Sequence, residues 1–180
     1  MVLKHIISVR IEDELGVFTR IASLFGRKGF NIESFAIGPS EQIGILRISM
    51  VIISDEIVAN KLIEQLYKIL NVLSIENLTS KAVLQKELML IKVSCTNINR
   101  SQILELVKVF NTKVVDISER ELTIEVVGDS GKIAAIEKLL EPFGIVEIAR
   151  TGSIALSRSS MIDSKALITS PMHTYAVRNG

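Results

Sequence analysis

Strand, helix, strand, strand, helix, strand: this order of hydrophobic patterns runs through the first half of the chain and repeats in the second, which leaves few folds open. The first strand pattern, about His5 to Ile11, places Ile7, Val9 and Ile11 on one side and Ser8 and Arg10 on the other. That alternation belongs to a sheet with one covered face. An amphipathic helix is predicted from about Leu15 to Lys28, with Val17, Phe18, Ile21, Leu24 and Phe25 as its apolar stripe. Arg27 and Lys28 suit the negative end of its macrodipole, and Gly29 is the expected left-handed stop. Strands follow at Ile32 to Ile37 and Ile43 to Ile53, the latter offering Leu46, Ile48, Met50 and Ile52 to a core. Ser54 is the expected cap of a second helix whose stripe is Val58, Leu62, Leu66, Ile69 and Leu70, and a fourth strand runs about Val72 to Leu78.

In the second half a strand at Glu87 to Cys95 leads to a helix from about Arg100 to Phe110, with Ile103, Leu106, Val107 and Phe110 inward. Val114 to Ser118 and Leu122 to Val127 are close enough to form a hairpin. A last helix, about Gly131 to Glu141, is ended by Pro142 and Gly144, and strand pattern resumes at Ile145 to Ala149 and at Ile154 to Leu156. The pattern predicts an α+β chain of two tandem ferredoxin-like βαββαβ sandwiches, each an antiparallel sheet with both helices on one face. Their expected bounds are residues 1–79 and 80–158, joined by a linker at Thr79 to Lys86. Residues 159–180 are polar and irregular and are read as a mostly disordered tail.

Composition excludes several classes of function. A net charge of +1 with scattered Lys and Arg gives no electrostatic footprint for nucleic acid, and 4% aromatic content without Trp leaves no stacking platform. The apolar runs are too short for a membrane span, and the direct entry into a strand pattern leads to the expectation of no signal or transit peptide. The single cysteine, Cys95, lies in an apolar strand pattern and reads as a buried residue in a reducing compartment. Two histidines, His5 and His173, are too few for a metal cluster or a Ser-His-Asp arrangement. Gly128 to Lys132 (GDSGK) lacks the phosphate-loop spacing, so Asp129 or Ser130 is expected to cap the following helix.

The stretch Glu12 to Glu33 (EDELGVFTRIASLFGRKGFNIE) has the form of a small-ligand address. Free amides at a helix start attract a carboxylate, and Gly16 lets the backbone approach because it lacks Cβ. An amino acid would bring that carboxylate together with an ammonium for Asp13 or Asn31 to receive. An ordinary strand-to-helix turn would carry the same glycine.

Residues 7–41 (ISVRIEDELGVFTRIASLFGRKGFNIESFAIGPSE) resemble the ACT-domain signature of the acetolactate synthase (acetohydroxyacid synthase) small subunit. Leu88 to Val93 (LMLIKV), Gly128 to Lys132 and Val146 to Arg158 (VEIARTGSIALSR) resemble the C-terminal domain of that family. The resemblance implies a non-catalytic regulatory subunit acting in branched-chain amino acid synthesis. Its catalytic partner, the large subunit, would carry thiamine diphosphate, magnesium and FAD, and would be contacted by the C-terminal domain. The small subunit would activate that partner and confer feedback inhibition by valine or another branched-chain amino acid. It would pair as a homodimer through the ACT domain, without nucleic acid or membrane, in a cytoplasm or a plastid stroma. Carried over by residue, the effector site falls on Asp13, Leu15, Gly16, Val17 and Phe18, with Asn31 and Ile32 as the facing segment. Asp13 stands where the family often has Asn; an ionised carboxylate accepts but cannot donate, so it favours the ligand's ammonium and repels its carboxylate. A free-standing amino acid sensor is the alternative reading. It lacks a helix-turn-helix segment or basic patch through which to control transcription.

Overall fold

The computed structural model describes residues 2–28 and 30–159. The expected stop at Gly29, the side chains of Arg27 and Lys28, His173 and the tail from residue 160 onward lie outside the described residues. The first unit runs β1 (Leu3–Glu12), α1 (Val17–Lys28), β2 (Ile32–Pro39), β3 (Ile45–Ser54), α2 (Glu56–Leu66) and β4 (Val72–Asn77). Its strands form an antiparallel sheet in the order β2-β3-β1-β4. The second unit runs β5 (Val83–Ser94), α3 (Arg100–Val109), β6 (Lys113–Ile117), β7 (Glu121–Gly128), α4 (Ser130–Leu140), a 3-10 turn at Glu141–Phe143, β8 (Ile145–Arg150) and β9 (Ile154–Ser157). Here the order is β6-β7-β5-β8, with β9 on the leading residues of β5. These are the two ferredoxin-like sandwiches that the alternation predicts.

Each sandwich has its own core. In the first, Ile7, Val9 and Ile11 of β1 stand opposite Met50, Ile48 and Leu46 of β3, and Val17, Ile21, Leu24, Ala59, Leu62 and Leu66 close over them from the helices. Removing such a fully buried aliphatic side chain to Ala costs about 2–5 kcal/mol, so this periodicity is what sets the strand register. In the second, Met89, Ile91 and Val93 of β5 meet Val126, Ile124 and Leu122 of β7 beneath Ile103, Val107, Ile133, Ile136 and Leu140.

Three expectations are corrected. The cap of α2 is Asp55, whose Oδ1 accepts the Val58 amide at 2.8 Å, while the hydroxyl of Ser54 donates to the Asp55 carbonyl. A carboxylate is the stronger acceptor at the positive end of a helix, and Asp55 has the spacing to reach three residues on. Leu70 is 90% exposed and belongs to no buried stripe, because α2 ends at Leu66 and the chain turns through 67–71. The linker is also shorter than read from sequence. Val83 to Lys86 are already strand, paired with β9 in the register Val83↔Ser157 to Lys86↔Ile154.

That extension joins the two units. β9 lies across β1 and β3 on the side of the first sheet away from its helices, where Ser8 and Ser49 are each only 4% exposed. The Thr79 hydroxyl accepts the Ile6 amide at 3.1 Å, and the Leu78 amide donates to the Ile6 carbonyl at 2.8 Å, which fixes the chain as it leaves β4.

Candidate functional site

The loop between β1 and α1 is held from below by Asn71. The buried Asn71 side chain donates through Nδ2 to Glu12 Oε2 at 3.0 Å and to Glu14 Oε2 at 2.8 Å, and its Oδ1 accepts from Arg20 Nη1 at 2.9 Å. The backbone repeats the grip: the Glu12 amide donates to the Asn71 carbonyl at 2.9 Å and the Asp13 amide to the Gly44 carbonyl at 2.8 Å. One amide side chain thus uses its donor and acceptor ends to fix the loop to α1. Neither Asn71 nor Arg20 carries a local sequence signal for this role, since their partners lie 51 to 59 residues away.

Gly16 then turns the chain into α1 with φ +85°, a conformation that favours glycine, and the space where a Cβ would stand is open. The Val17 amide is bound to the Glu14 carbonyl at 3.4 Å, and Arg20 starts the helical ladder by donating to the Gly16 carbonyl at 3.1 Å. Among the hydrogen bonds of the described residues none reaches the amides of Phe18 or Thr19, and no acidic residue sits in the first turn of α1. These two donors belong to the first turn of α1, next to Gly16 and at the positive end of the helix dipole, an arrangement suited to a carboxylate.

The expected site residues divide by position. Asp13, Leu15 and Phe18 are exposed, Leu15 fully so, whereas Val17 is 2% exposed and packs in the core with its amide on the loop. Asn31 and Ile32 are elsewhere. The Asn31 carbonyl accepts from Ile53 at 3.0 Å, near the end of β3, while Asp13 binds Gly44 just before β3 begins. At about 3.4 Å per residue, that separates the two groups by roughly 30 Å within one chain. What lies between them is β2, which pairs with β3 on one edge and leads the sheet order on the other. β1 and β2 both run antiparallel to β3 and hence parallel to each other. An antiparallel copy of β2 laid against that open edge would carry its own Asn31 and Ile32 to the Gly16 end.

A family model described as the small subunit of acetolactate synthase matches residues 86–159, and one described as an acetohydroxyacid synthase small subunit-like ACT domain matches residues 7–74. The acetolactate synthase small subunit of Aquifex aeolicus is 42% identical over 162 residues, covering 89% of this chain and 84% of that one. The chain belongs to the acetolactate synthase small-subunit family. It is the family of the synthase's small, regulatory and non-catalytic subunit. The Mycobacterium bovis member is also 42% identical, over 86% of this chain and 92% of its own. A chloroplastic small subunit 2 of Arabidopsis thaliana is 47% identical over 160 residues, and the match spans only about a third of that longer protein. The crystal structure of the Thermotoga maritima acetolactate synthase small subunit superposes with a TM-score of 0.81 at 31% identity, covering 88% of this chain and 99% of that one.

Other features of this small-subunit chain have structural explanations. Asp129 caps α4 by accepting the Lys132 amide at 2.8 Å, and the Lys132 side chain folds over Gly128, where a Cβ would lie 2.6 Å from its Cδ. Cys95 is buried in the second core, and His5 Nε2 lies 3.2 Å from the Ser54 carbonyl. On the outer face of the first sheet Arg10 stands opposite Arg47, and Glu41 bridges them at 3.1 and 3.2 Å. A hydrogen bond from its own backbone, then one from Arg47 and the nearby charge of Arg10, hold the Glu41 carboxyl below its ordinary value.

Proposed function

We propose that this chain activates the thiamine-diphosphate-dependent large subunit of acetolactate synthase and makes it sensitive to valine or another branched-chain amino acid. The observation that carries this reading is the open N-terminus of α1: two unbonded amides beside a left-handed glycine, on a loop locked by Asn71. The effector's carboxylate sits on the Phe18 and Thr19 amides, and Asp13 receives its ammonium. Its side chain lies against Phe18 of the same chain and Ile32 of a second copy. Asn31 of that copy completes the polar contacts. A homodimer joined through β2 is therefore part of the site, and ligand bridging two chains stabilises one dimer arrangement over others.

Thiamine diphosphate, magnesium and FAD belong to the large subunit in this reading, and the unit spanning 80–158 makes the contact with it. Among the described residues, no group of three or more His, Cys, Asp or Glu is placed to hold a metal ion. No described helix is long and apolar enough to cross a membrane. The place of action is a bacterial cytoplasm or a plastid stroma. The test is reconstitution with the cognate large subunit, assayed with pyruvate, with and without valine. Activation and valine sensitivity are expected together. Turnover by this chain alone, or no effect on the large subunit, overturns the reading.

A further inference from the structure

β2 touches both halves of the molecule through adjacent residues. On its inner face Phe35 packs edge-on against Phe18 and Phe25 of α1, with ring centroids 6.0 and 6.1 Å apart. On its outer face the Ser34 hydroxyl accepts the Ser153 amide at 2.6 Å, across the boundary between the two units. Ser153 is 5% exposed, and its own hydroxyl accepts from Gln85 Nε2 of β5 at 2.7 Å. Gly152 comes so close that a Cβ on it would lie 2.8 Å from the Phe35 carbonyl oxygen, and its φ of +79° excludes ordinary side chains as well. The ladder between β2 and β3 shifts register between Ile32 and Ser34, so this short segment departs from a regular strand.

We propose that the Ser34–Ser153 hydrogen bond, with the Gly152 approach to Phe35, transmits effector occupancy from the first unit to the second. The inference rests on the effector reading above and adds the route. A ligand side chain against Phe18 presses on Phe35 from one face. One against the copy's Ile32 displaces that copy's bulged segment along the strand. Either movement alters the geometry at Ser34 and beneath Gly152, where close-packed backbone leaves no slack to absorb it. β9 and the head of β5 receive the displacement, and β5 continues into the second sheet. Ser34 and Gly152 act through others and touch no effector.

The test compares the full chain and its Ser34→Ala and Gly152→Ala variants, each by valine calorimetry and each in holoenzyme assays with the large subunit. For Ser34→Ala, the valine Kd is expected within about twofold of wild type while residual activity at saturating valine rises about fivefold or more, the lower end of ordinary coupling between sites. Gly152→Ala is expected to act in the same direction. Should it fail to fold, Ser34→Ala and the exchange rate of the Ser153 amide carry the test, that amide being expected to exchange several-fold more slowly when valine saturates the wild-type chain. Wild-type inhibition in Ser34→Ala, a fall in affinity parallel to the loss of inhibition, or Ser153 exchange indifferent to valine overturns the coupling and leaves the effector site standing. Absence of branched-chain amino acid binding to the wild-type chain overturns the site and the coupling together.

Discussion

The Arg20 guanidinium donates to Asn71 Oδ1 at 2.9 Å, tying the first turn of α1 to the residue before β4. The glycine loop is consequently anchored by tertiary contacts rather than by its own sequence. Asn71→Ala removes the three hydrogen bonds to Glu12, Glu14 and Arg20, all charged groups, and is expected to cost about 1–3 kcal/mol in urea unfolding. Asn71→Asp should cost more, because it sets a third carboxylate against two. The excess over Asn71→Ala should shrink as pH falls through the carboxylate range. An Asp variant as stable as the Ala variant at pH 7 would contradict the described network.

Gly16→Asp is expected to abolish valine inhibition while activation of the large subunit persists. Holding a non-glycine residue at positive φ costs about 1–2 kcal/mol, and the new carboxylate competes with the ligand's at the helix start. The open space around Gly16 means that no clash inside the chain is responsible. Inhibition assays on the reconstituted enzyme decide it, with a valine response equal to wild type as the adverse result.

With Val17 in the core, the proposed site offers an effector side chain the apolar surface of Phe18 and of the second copy's Ile32. Alanine lacks the two methyl groups of valine and should bind at least about tenfold more weakly, at roughly 0.8 kcal/mol per buried carbon. Leucine should be penalised less, and serine should bind poorly because its hydroxyl loses water without an assigned partner. Calorimetry with the four amino acids checks this order. Serine or alanine matching valine would remove the branched-chain assignment.

Two charged clusters, Glu41 with Arg10 and Arg47, and Lys92 with Glu147, set the expected pH response. Glu41 is held below its ordinary pKa, so its contribution to stability is present above about the unfolded carboxylate value and lost as pH falls through the lower folded one. Lys92 is raised, first by its hydrogen bond from Nζ to Glu147 at 2.9 Å and then by the charge of that carboxylate, so its contribution holds below the unfolded lysine value and is lost as pH climbs through the folded one. Glu41→Gln should flatten the acid limb of a stability profile and Glu147→Gln the alkaline limb, each leaving the other limb unchanged. Both sites are solvent-exposed, so the effects should shrink in high salt.

The sheets were legible because burial writes itself as period two: Ile7, Val9 and Ile11, or Met89, Ile91 and Val93, admit one covered face. Helix ends were less so. Ser54 and Asp55 are both good cap residues, and only the spacing to Val58 separates them. Leu70 follows Leu66 by four residues and imitates a stripe, but the helix has already ended without a Gly or Pro to mark it. Val83 to Lys86 carry little strand pattern and become strand because β9, some seventy residues on, pairs with them. The glycine loop and its open helix start could be named from sequence, whereas its anchor Asn71 and the Ser34 contact could not. Their meaning depends wholly on partners brought near by folding.

The surface that β9 covers on the first sheet is mixed, since Val51, on the same face of β3 as Ser49, is only 5% exposed. Ser8 and Ser49 sit side by side beneath it, with Ser34 supplying the bond to Ser153. On loss of the second unit the hydroxyls would be wetted, while Val51 and its cross-strand partner Ile6 would remain as the apolar part of the uncovered face.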